Sequence, residues 1–339
     1  MKIEVYSPTI RRREMDAVLT AMVEDRIGPG EQSKFLIQIA REKIKFEYCL
    51  ALRSPAFALY LALKSLDLNK GDGVLVSALS PLYYAWVIKD LGLTPVYCDV
   101  QVSTTCMSRE TVEKALAVKP EGLDIRCLVL HHTLGYICDV SAISEFGFPV
   151  IEDHSQSYGS LAGEDSASQA SPGIFTILGL EERDMLTSGG GALLYSLNRR
   201  QASDLPPEYG LPGINAAMAA VQFREAEKNL SKRREIADIY SQAALRTRHK
   251  RFVADIKYNN YAFPLILEKG VKDVKAYARR KDIAVESAFE NTLITSGLVP
   301  TELCPEAYSL SLRTVLFPIY PRLSLTDAGK VAKLILTLP

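Results

Sequence analysis

GDGVLVSALSPLYYAWVIKDLGLTPVYCDV, residues 71–100, is the stretch of sequence that decides the fold. A turn-forming start leads into an apolar, β-branched run at 74–79, then a helical pattern at 83–91, then a second apolar run at 95–99. A strand, a helix and a strand in this order form a parallel pair, because parallel strands need a long crossover connection. The stretch therefore predicts one βαβ unit.

The same alternation of apolar runs and helical patterns continues on both sides of this unit. It is typical of a mostly parallel sheet with helices on both faces, a three-layer α/β/α arrangement. The remaining predicted strands lie at 127–132, 149–153, 174–178 and 191–195, and the flanking predicted helices at 56–66 and 109–117.

Polar side chains follow several of these strands. Ser80, Asp99, His131, His132 and Asp153 each lie at or directly after the carboxyl end of a predicted strand. In open α/β sheets the ligand crevice lies beyond these ends. Each residue alone is explained as a cap or turn residue, but together they indicate a site. His131 and His132 lie on opposite faces of one strand, so at most one of them points into that site.

The pattern changes after Pro206-Pro207, where a connecting helix begins. The predicted elements from there on are a long helix at about 214–245, a strand at 261–267, a helix at 271–281 and a last helix opened by Ser324. We therefore expect a large domain over 1–232 and a small C-terminal α+β domain over 233–339.

The charge balance argues against nucleic acid as a partner. The 339 residues include 40 Lys and Arg and 40 Asp and Glu, whereas a nucleic-acid binder normally shows a basic excess or stripe. The one dense basic cluster, Arg11 to Arg13, is followed by Glu14, as on a solvated helix face. The sequence contains no run of eighteen consecutive apolar residues, so we expect no membrane span. Its first residues lack the pattern of a secretory signal peptide.

Cysteine and histidine spacing favours a reducing compartment and no metal. The six cysteines are scattered without a CxxC pair, which predicts reduced, buried thiols in a cytoplasmic protein. The four histidines show none of the HxH, HxxxH or HExxH spacings of metal sites, so we expect no metal.

Six stretches of the chain match one known family in order. They are GPGEQSKFL (28–36), the run at 71–100, HTLGYICDVSAI (132–143), VIEDHSQSYGS (150–160), AAVQFREAEKNLSKRREIADIY (219–240) and FPIYPRLSLTDAGKV (317–331). Together they resemble the DegT/StrS aminotransferases, which use pyridoxal phosphate (PLP) on nucleotide sugars and have the aspartate aminotransferase fold type I. The most specific piece is VIEDHSQSYGS, against V-I-E-D-x-A-Q-x-x-G-A in the family.

The resemblance implies a cofactor site at the carboxyl edge of the sheet, built across a homodimer interface. Asp153 matches the family's aspartate, which pairs with the protonated pyridine nitrogen, and a carboxylate there favours the pyridinium form. Gln156 matches the glutamine that hydrogen-bonds the cofactor's phenolic oxygen. His132 matches a histidine that we expect near the ring.

The lysine that forms the Schiff base in the family has no counterpart here. Counting back from Gly190-Gly191, its position falls on Arg183; counting forward from Phe175, it falls on Glu181. A guanidinium is neither nucleophilic nor a proton shuttle, so Arg183 cannot replace the lysine. The histidine that some pyridoxamine phosphate (PMP) dependent dehydratases carry at this position is also absent from the segment 174–191.

The expected phosphate and ring contacts have changed as well. The family's S-G-T-x-A-L reads Ser54-Pro55-Ala56-Phe57-Ala58-Leu59, which loses an amide donor and a hydroxyl. Pro81 occupies the position of the aromatic ring that stacks on the pyridine, although Tyr83, Tyr84 or Trp86 could supply a ring. In the family, the segment before the long helix reads G-x-N-x-R-M, and its asparagine reaches the cofactor phosphate of the partner subunit. Here this segment reads Glu208-Tyr209-Gly210-Leu211. Thr176 keeps a hydroxyl at the phosphate-binding serine position.

These observations leave several hypotheses. The first is a homologue without the Schiff-base lysine that does not transaminate and that binds a nucleotide sugar or related ligand in sugar or polysaccharide biosynthesis. The second is an enzyme that holds PLP or PMP noncovalently through Asp153 and Gln156, with Tyr83, His132 or His154 carrying protons. The third is metal-free acid-base chemistry by His131, His132 and Asp153. Whether the protein is an enzyme stays open at this point.

Overall fold

The computed structural model describes residues 2–162, 173–197, 209–253, 256–268 and 270–339. Pro206-Pro207 and Glu208 lie outside the described residues. The α-helices are α1 (Arg12–Val23), α2 (Glu31–Arg41), α3 (Pro55–Lys64), α4 (Tyr83–Asp90), α5 (Arg109–Val118), α6 (Val140–Ser144), α7 (Gly213–Ala244), α8 (Val271–Arg279), α9 (Pro305–Arg313) and α10 (Leu325–Leu336). The strands are β1 (Tyr48–Leu52), β2 (Gly73–Ser77), β3 (Thr94–Cys98), β4 (Ile125–His131), β5 (Val150–Asp153), β6 (Leu161–Ala162), β7 (Phe175–Gly179), β8 (Ala192–Ser196), β9 (Ile256–Lys257), β10 (Phe263–Ile266), β11 (Glu286–Ser287) and β12 (Thr314–Phe317).

Seven strands form the main sheet in the order β1-β8-β7-β5-β4-β2-β3. The pairs from β7 to β3 are all parallel, while β8 runs antiparallel to both β7 and β1. Every residue of β2, β7 and β8 is buried, as expected when helices cover both faces of a sheet. The predicted α/β fold with a mostly parallel sheet is confirmed.

The βαβ unit predicted at 71–100 forms β2, α4 and β3. Strands β2 and β3 pair in parallel, with Val74 opposite Pro95 and Ser77 opposite Cys98. The parallel partner on the other side of β2 is β4, and β5 follows β4. The carboxyl ends of these four strands therefore lie side by side along one edge.

A second, antiparallel sheet has the order β10-β12-β11 and a hydrophobic cluster of its own. Helix α7 contributes Ile236 and Tyr240 to this cluster and Phe223 to a cluster beside the main sheet. The proposed boundary between residues 232 and 233 falls inside α7, and the division into two domains stays a prediction.

Arg233 of α7 contacts the segments that precede β10 and follow β12 in the second sheet. Its guanidinium is buried and donates to the carbonyl oxygens of Asn260 at 3.2 Å, Tyr261 at 3.0 Å and Ile319 at 2.9 Å. Hydrogen bonds from a charged donor to several carbonyls are stronger than neutral ones, which offsets part of the cost of burying the charge. Tyr261 is thereby held in place.

Two smaller expectations concern the cysteines and the membrane. All six cysteines are free and buried, as their scattered spacing predicts. Among the helices of the described ranges, none combines the length and the apolar character that crossing a lipid bilayer demands.

Candidate ligand-binding site

A cavity of about 800 Å³ lies beyond the carboxyl ends of the parallel strands. Its walls come from the strand ends, with His131 closing β4 and Asp153 closing β5, and from residues 286–292, which include β11 of the second sheet. The cavity is therefore placed where parallel sheets usually bind ligands.

The structure brings eight of the residues singled out in the sequence to this cavity. Its lining includes Pro55, Pro81, Tyr83, His131, Asp153, Gln156, Glu181 and Arg183. Residues that lie far apart in sequence thus share one site, as expected from the parallel arrangement of the strands.

Asp153 is buried and receives hydrogen bonds on both carboxylate oxygens. Its Oδ1 accepts the backbone N–H of Ser155 at 2.9 Å and also the Ser155 hydroxyl. Its Oδ2 accepts the hydroxyl of Tyr84 at 2.6 Å and that of Tyr83 at 3.3 Å, and His131 Nδ1 lies 3.6 Å away. Burial alone would raise the pKa of Asp153, but His131 and the hydrogen bonds from Ser155 and Tyr84 hold that pKa well below its usual value. The carboxylate is therefore ionised.

Gln156 follows Asp153 on the same loop and joins two segments of the wall. Its side-chain oxygen accepts the backbone N–H of Leu134 at 2.6 Å, and its carbonyl oxygen accepts the amide of Asn259 at 2.7 Å. Leu134 itself lines the cavity and has a positive φ of 54°. The Gln156 side chain thus stabilises a strained turn at the cavity wall.

His132 is fully buried but is not among the residues that line the cavity. Its Nε2 lies 3.0 Å from Glu152 Oε2, and His154 Nε2 approaches the same oxygen at 3.3 Å. Glu152 and Asp153 are neighbours on β5, so their side chains point to opposite faces of the sheet. The histidine in the cavity wall is His131, which ends β4.

The ligand atoms of His132, Glu152 and His154 lie within 4.8 Å of one another, a separation that a metal ion could bridge. However, His132 Nδ1 accepts the backbone N–H of Cys138 at 3.1 Å. A neutral imidazole that accepts at Nδ1 carries its proton on Nε2. His132 Nε2 then donates to Glu152 and has no lone pair for a metal. The three side chains form a buried hydrogen-bonded group that fits no metal in this arrangement.

Ser54 and Thr176, the hydroxyls expected near a phosphate, are likewise not among the lining residues. Ser54 caps helix α3, where its Oγ accepts the backbone N–H of Phe57 at 3.2 Å. Thr176 lies opposite Glu152 on β5 and opposite Tyr195 on β8. Residues directly opposite one another share a face, so Thr176 belongs to the face of Glu152 rather than that of Asp153.

The segment at the expected lysine position forms an acidic wall. Glu181, Arg183 and Asp184 line the cavity, and no lysine does so within the described residues. The Arg183 guanidinium is already paired with Glu286, at 2.7 Å from its Oε2. Asp184 was not predicted as a site residue. The sequence signal for it is the run Glu181-Glu182-Arg183-Asp184, in which acidic residues outnumber basic ones.

Asp184 is half-buried and lacks a cationic partner. Its Oδ2 accepts the backbone N–H of Glu181 at 2.8 Å, and no Lys, Arg or His of the described ranges lies within 4.0 Å of its carboxylate. Burial, together with the nearby charges of Asp153 and Glu181, raises the pKa of Asp184 to about 8, although the hydrogen bond from Glu181 acts in the opposite direction. The two aspartates of one cavity therefore have widely separated pKa values.

These residues do not fit a covalently held PLP. Asp153 supplies the carboxylate that a pyridinium needs, but no lysine of the described residues lines the cavity to react with the aldehyde. Among the described residues of the lining, a phosphate would meet the carboxylate of Glu181, and the guanidinium of Arg183 is neutralised by Glu286. Pro55, at the start of α3, lines the cavity without an amide donor.

Three comparisons relate this chain to known proteins. The sequence profile of the DegT/DnrJ/EryC1/StrS aminotransferase family matches residues 8–205 and 197–336. GDP-perosamine synthase from Escherichia coli O157:H7 is 26% identical over 266 residues, covering 71% of each chain. The PLP form of the putative sugar aminotransferase Spr1654 from Streptococcus pneumoniae gives a TM-score of 0.87 at 18% identity and covers 99% of this chain and 98% of that one. The aminotransferase TlmJ from Streptoalloteichus hindustanus gives 0.86 at 20%, over 98% and 97%.

We predict that Asp184→Asn stabilises the protein in a pH-dependent way. Between an unfolded pKa of 3.8 and a folded pKa of about 8, folded Asp184 binds more proton than the unfolded chain does. The wild-type free energy of unfolding therefore decreases as pH rises through this window. At pH 8 the free energy of unfolding of Asp184→Asn should exceed that of the wild type by at least ~1.4 kcal/mol, the equivalent of one pKa unit.

Urea denaturation at about pH 5 and about pH 8 measures this difference. Glu182→Gln is the matched control, since Glu182 is an exposed neighbour that does not line the cavity. A gain for Asp184→Asn that is the same at both pH values, or shared by Glu182→Gln, would contradict the prediction.

Proposed function

Because the chain belongs to the DegT/DnrJ/EryC1/StrS aminotransferase family, we propose that it is a member that does not transaminate and that uses the cavity to bind a small ligand. The observation that carries this proposal is the acidic wall of Glu181 and Asp184 at the lysine position. A Schiff base needs an amine that can lose its proton. Neither a carboxylate nor the guanidinium of Arg183 supplies one.

The remaining residues of the cavity support binding rather than covalent chemistry. Tyr83, Tyr84 and Ser155 fix the Asp153 carboxylate from three directions, so it is a rigid, ionised acceptor in the wall. Gln156 holds the turn at Leu134. A preorganised wall of this kind lowers the entropic cost of binding a ligand.

We assign the ligand to the nucleotide sugars or related compounds of sugar and polysaccharide biosynthesis. Support comes from the names of the relatives, a GDP-perosamine synthase and several sugar aminotransferases. The cavity of about 800 Å³ lies within the range of small-molecule sites.

A second candidate is a noncovalently bound PLP or PMP. One observation favours it: Asp153 and Gln156, which match the family's ring contacts, both line the cavity. No lysine among the described residues lines the cavity to hold this cofactor covalently. Saturable PMP binding that is lost in Asp153→Ala would favour this candidate over the first.

The test of the proposed function is transfer of nitrogen. The full-length protein is incubated with PLP, ¹⁵N-labelled glutamate and a GDP-linked keto sugar, and the products are measured by mass spectrometry. We expect no ¹⁵N in the sugar. Labelled amino sugar that depends on Asp153, and is therefore absent with Asp153→Asn, would overturn the proposal, while label that survives this substitution comes from a contaminating enzyme.

We also propose that the protein is a homodimer that associates through α1. Met15, Leu19, Met22 and Val23 are between 52% and 83% exposed on this helix. Their spacing of four, three and one residues puts them on one face, while Glu14 and Ala21 are buried on the other. An exposed apolar face of this extent is typical of an interface between subunits, and a second copy carries the same face for a symmetric contact.

Leu19→Glu should weaken this association, because it places a charge in the centre of the apolar face. We expect the wild type to sediment at about twice the chain mass of 37.5 kDa, and the dissociation constant of Leu19→Glu to rise at least about tenfold, or ~1.4 kcal/mol. Leu312→Glu on α9 is the matched control, since Leu312 is 53% exposed. A wild-type monomer, or equal effects of the two substitutions, would contradict the proposed dimer.

A further inference from the structure

We propose that the part of the chain around the second sheet carries a binding site for a small oxyanion, inorganic phosphate or one of like size and charge, at the start of α8 beside His249. The site is separate from the cavity beyond the parallel strands. The residues that line its pocket, among them His249, Gly270 and Asp273, do not line that cavity. The inference is therefore independent of the proposed function.

A run of basic residues supplies positive charge at this place. Residues 246–251 read RTRHKR, a second dense basic cluster beside Arg11 to Arg13 that was not predicted as a binding feature. Within the described residues, Arg248 pairs with Glu268 Oε2 at 3.2 Å, and the other three cations of the run have no acidic partner within 4.0 Å. These three side chains belong to exposed residues, so the surface here keeps a net positive charge.

The backbone places His249 and Arg251 on one side of this run. Lys250 pairs with Ile266 of β10 through two backbone hydrogen bonds, at 3.0 and 2.8 Å, so the run lies antiparallel along an edge strand of the second sheet. Neighbouring residues in an extended segment point to opposite faces, which puts His249 and Arg251 on the face opposite Lys250. On that face His249 shares a pocket with Gly270, which precedes α8.

The amino-terminal end of α8 is the first feature that favours an anion in this pocket. Its N-cap is Gly270, and no side chain caps the N–H groups of the first turn. Unpaired N–H groups and the helix dipole together favour negative charge at such an end. The pocket has a volume of about 90 Å³, which is enough for a few water molecules or one small oxyanion.

His249 is the second feature and an independent one. It is 7% exposed, and neither of its ring nitrogens has a hydrogen-bond partner among the described residues. Buried polar atoms are rarely left without partners in native proteins, so this pair calls for a ligand or water that completes it. Burial and the charge of Arg248 lower the pKa of His249, although Glu268 acts in the opposite direction. The neutral ring has one N–H, which can donate to an anion.

The charges around the pocket favour an anion over a metal ion. A neutral imidazole could bind a metal, but the positive charge of Arg248 acts on His249 and repels a cation. Asp273 also contributes to the pocket, and this residue is exposed to solvent. Its carboxylate opposes an anion at the helix end, so removing that charge should strengthen binding of an anion and weaken binding of a metal.

The test is an NMR titration of the full-length protein, ¹³C-labelled in histidine, with inorganic phosphate at constant ionic strength and about pH 7.5. The chain has four histidines, so each gives a separate signal, and His249→Asn assigns that of His249. We expect the His249 signal to shift and saturate with phosphate. His132 and His154, which are buried beside the main sheet, serve as internal controls. Absence of a saturable shift at His249 would overturn the inference.

Two exposed residues should change the affinity for phosphate in opposite directions. Asp273→Asn should lower the dissociation constant at least about threefold, and Arg251→Gln should raise it by a similar factor. Asp90→Asn on α4 and Lys43→Gln after α2 are the charge-matched controls, because both residues are exposed and neither lines the pocket. Controls that act as strongly as the site variants would indicate general attraction to the charge of the protein and contradict a defined site.

A separate titration with ZnCl₂, without phosphate, covers the metal ion. A saturable shift of the His249 signal with Zn²⁺ and none with phosphate would assign the pocket to a metal, against the inference. None of these readouts involves nitrogen transfer or the cavity. The oxyanion site can therefore fail while the absence of transamination stands, and the reverse.

Discussion

The hydrogen bonds that hold Asp153 at the end of β5 are the interaction on which the site depends. Tyr83 and Tyr84 open helix α4, Ser155 lies on the loop after β5, and His131 ends β4, so one carboxylate connects three parts of the cavity wall. A buried carboxylate with fewer donors would be protonated or would destabilise the fold. The parallel sheet places the end of β5 beside the end of β4, where His131 Nδ1 lies 3.6 Å from Asp153 Oδ2.

A second carboxylate in the same cavity has the opposite environment. Burial and, after it, the charges of Asp153 and Glu181 raise the pKa of Asp184 to about 8 against the effect of one backbone hydrogen bond, whereas the pKa of Asp153 is lowered. Two titratable groups whose environments push their pKa values apart are typical of functional sites. The family resemblance covers Asp153, whereas Asp184 was identified from the structure alone.

Much of the fold could be predicted from the sequence, because buried parallel strands are near-continuous apolar runs. Six of the seven strands of the main sheet were predicted within about two residues of their ends. The seventh, β1 (Tyr48–Leu52), was missed because this short run is flanked by charged residues and obtains its stability from pairing with β8. The strand β12 and helix α9 were missed in a Pro-containing stretch without a clear period.

The candidate site was predictable only in part, since spacing along a strand does not show which face a residue takes. His131 and His132 were both candidates; in the structure His131 lines the cavity, whereas His132 contacts Glu152 and Cys138. Ser54 and Thr176 matched phosphate-binding positions, but in the structure Ser54 caps a helix and Thr176 lies on the opposite face of the sheet.

The central claim is that no amine in this cavity can form a Schiff base. It is tested most directly by adding PLP to the purified protein, reducing with borohydride, and measuring intact and peptide masses, with Glu181→Lys as the positive control. The account predicts an adduct at position 181 of that variant and none on any cavity residue of the wild type, whereas a stoichiometric adduct at a single wild-type lysine would contradict it.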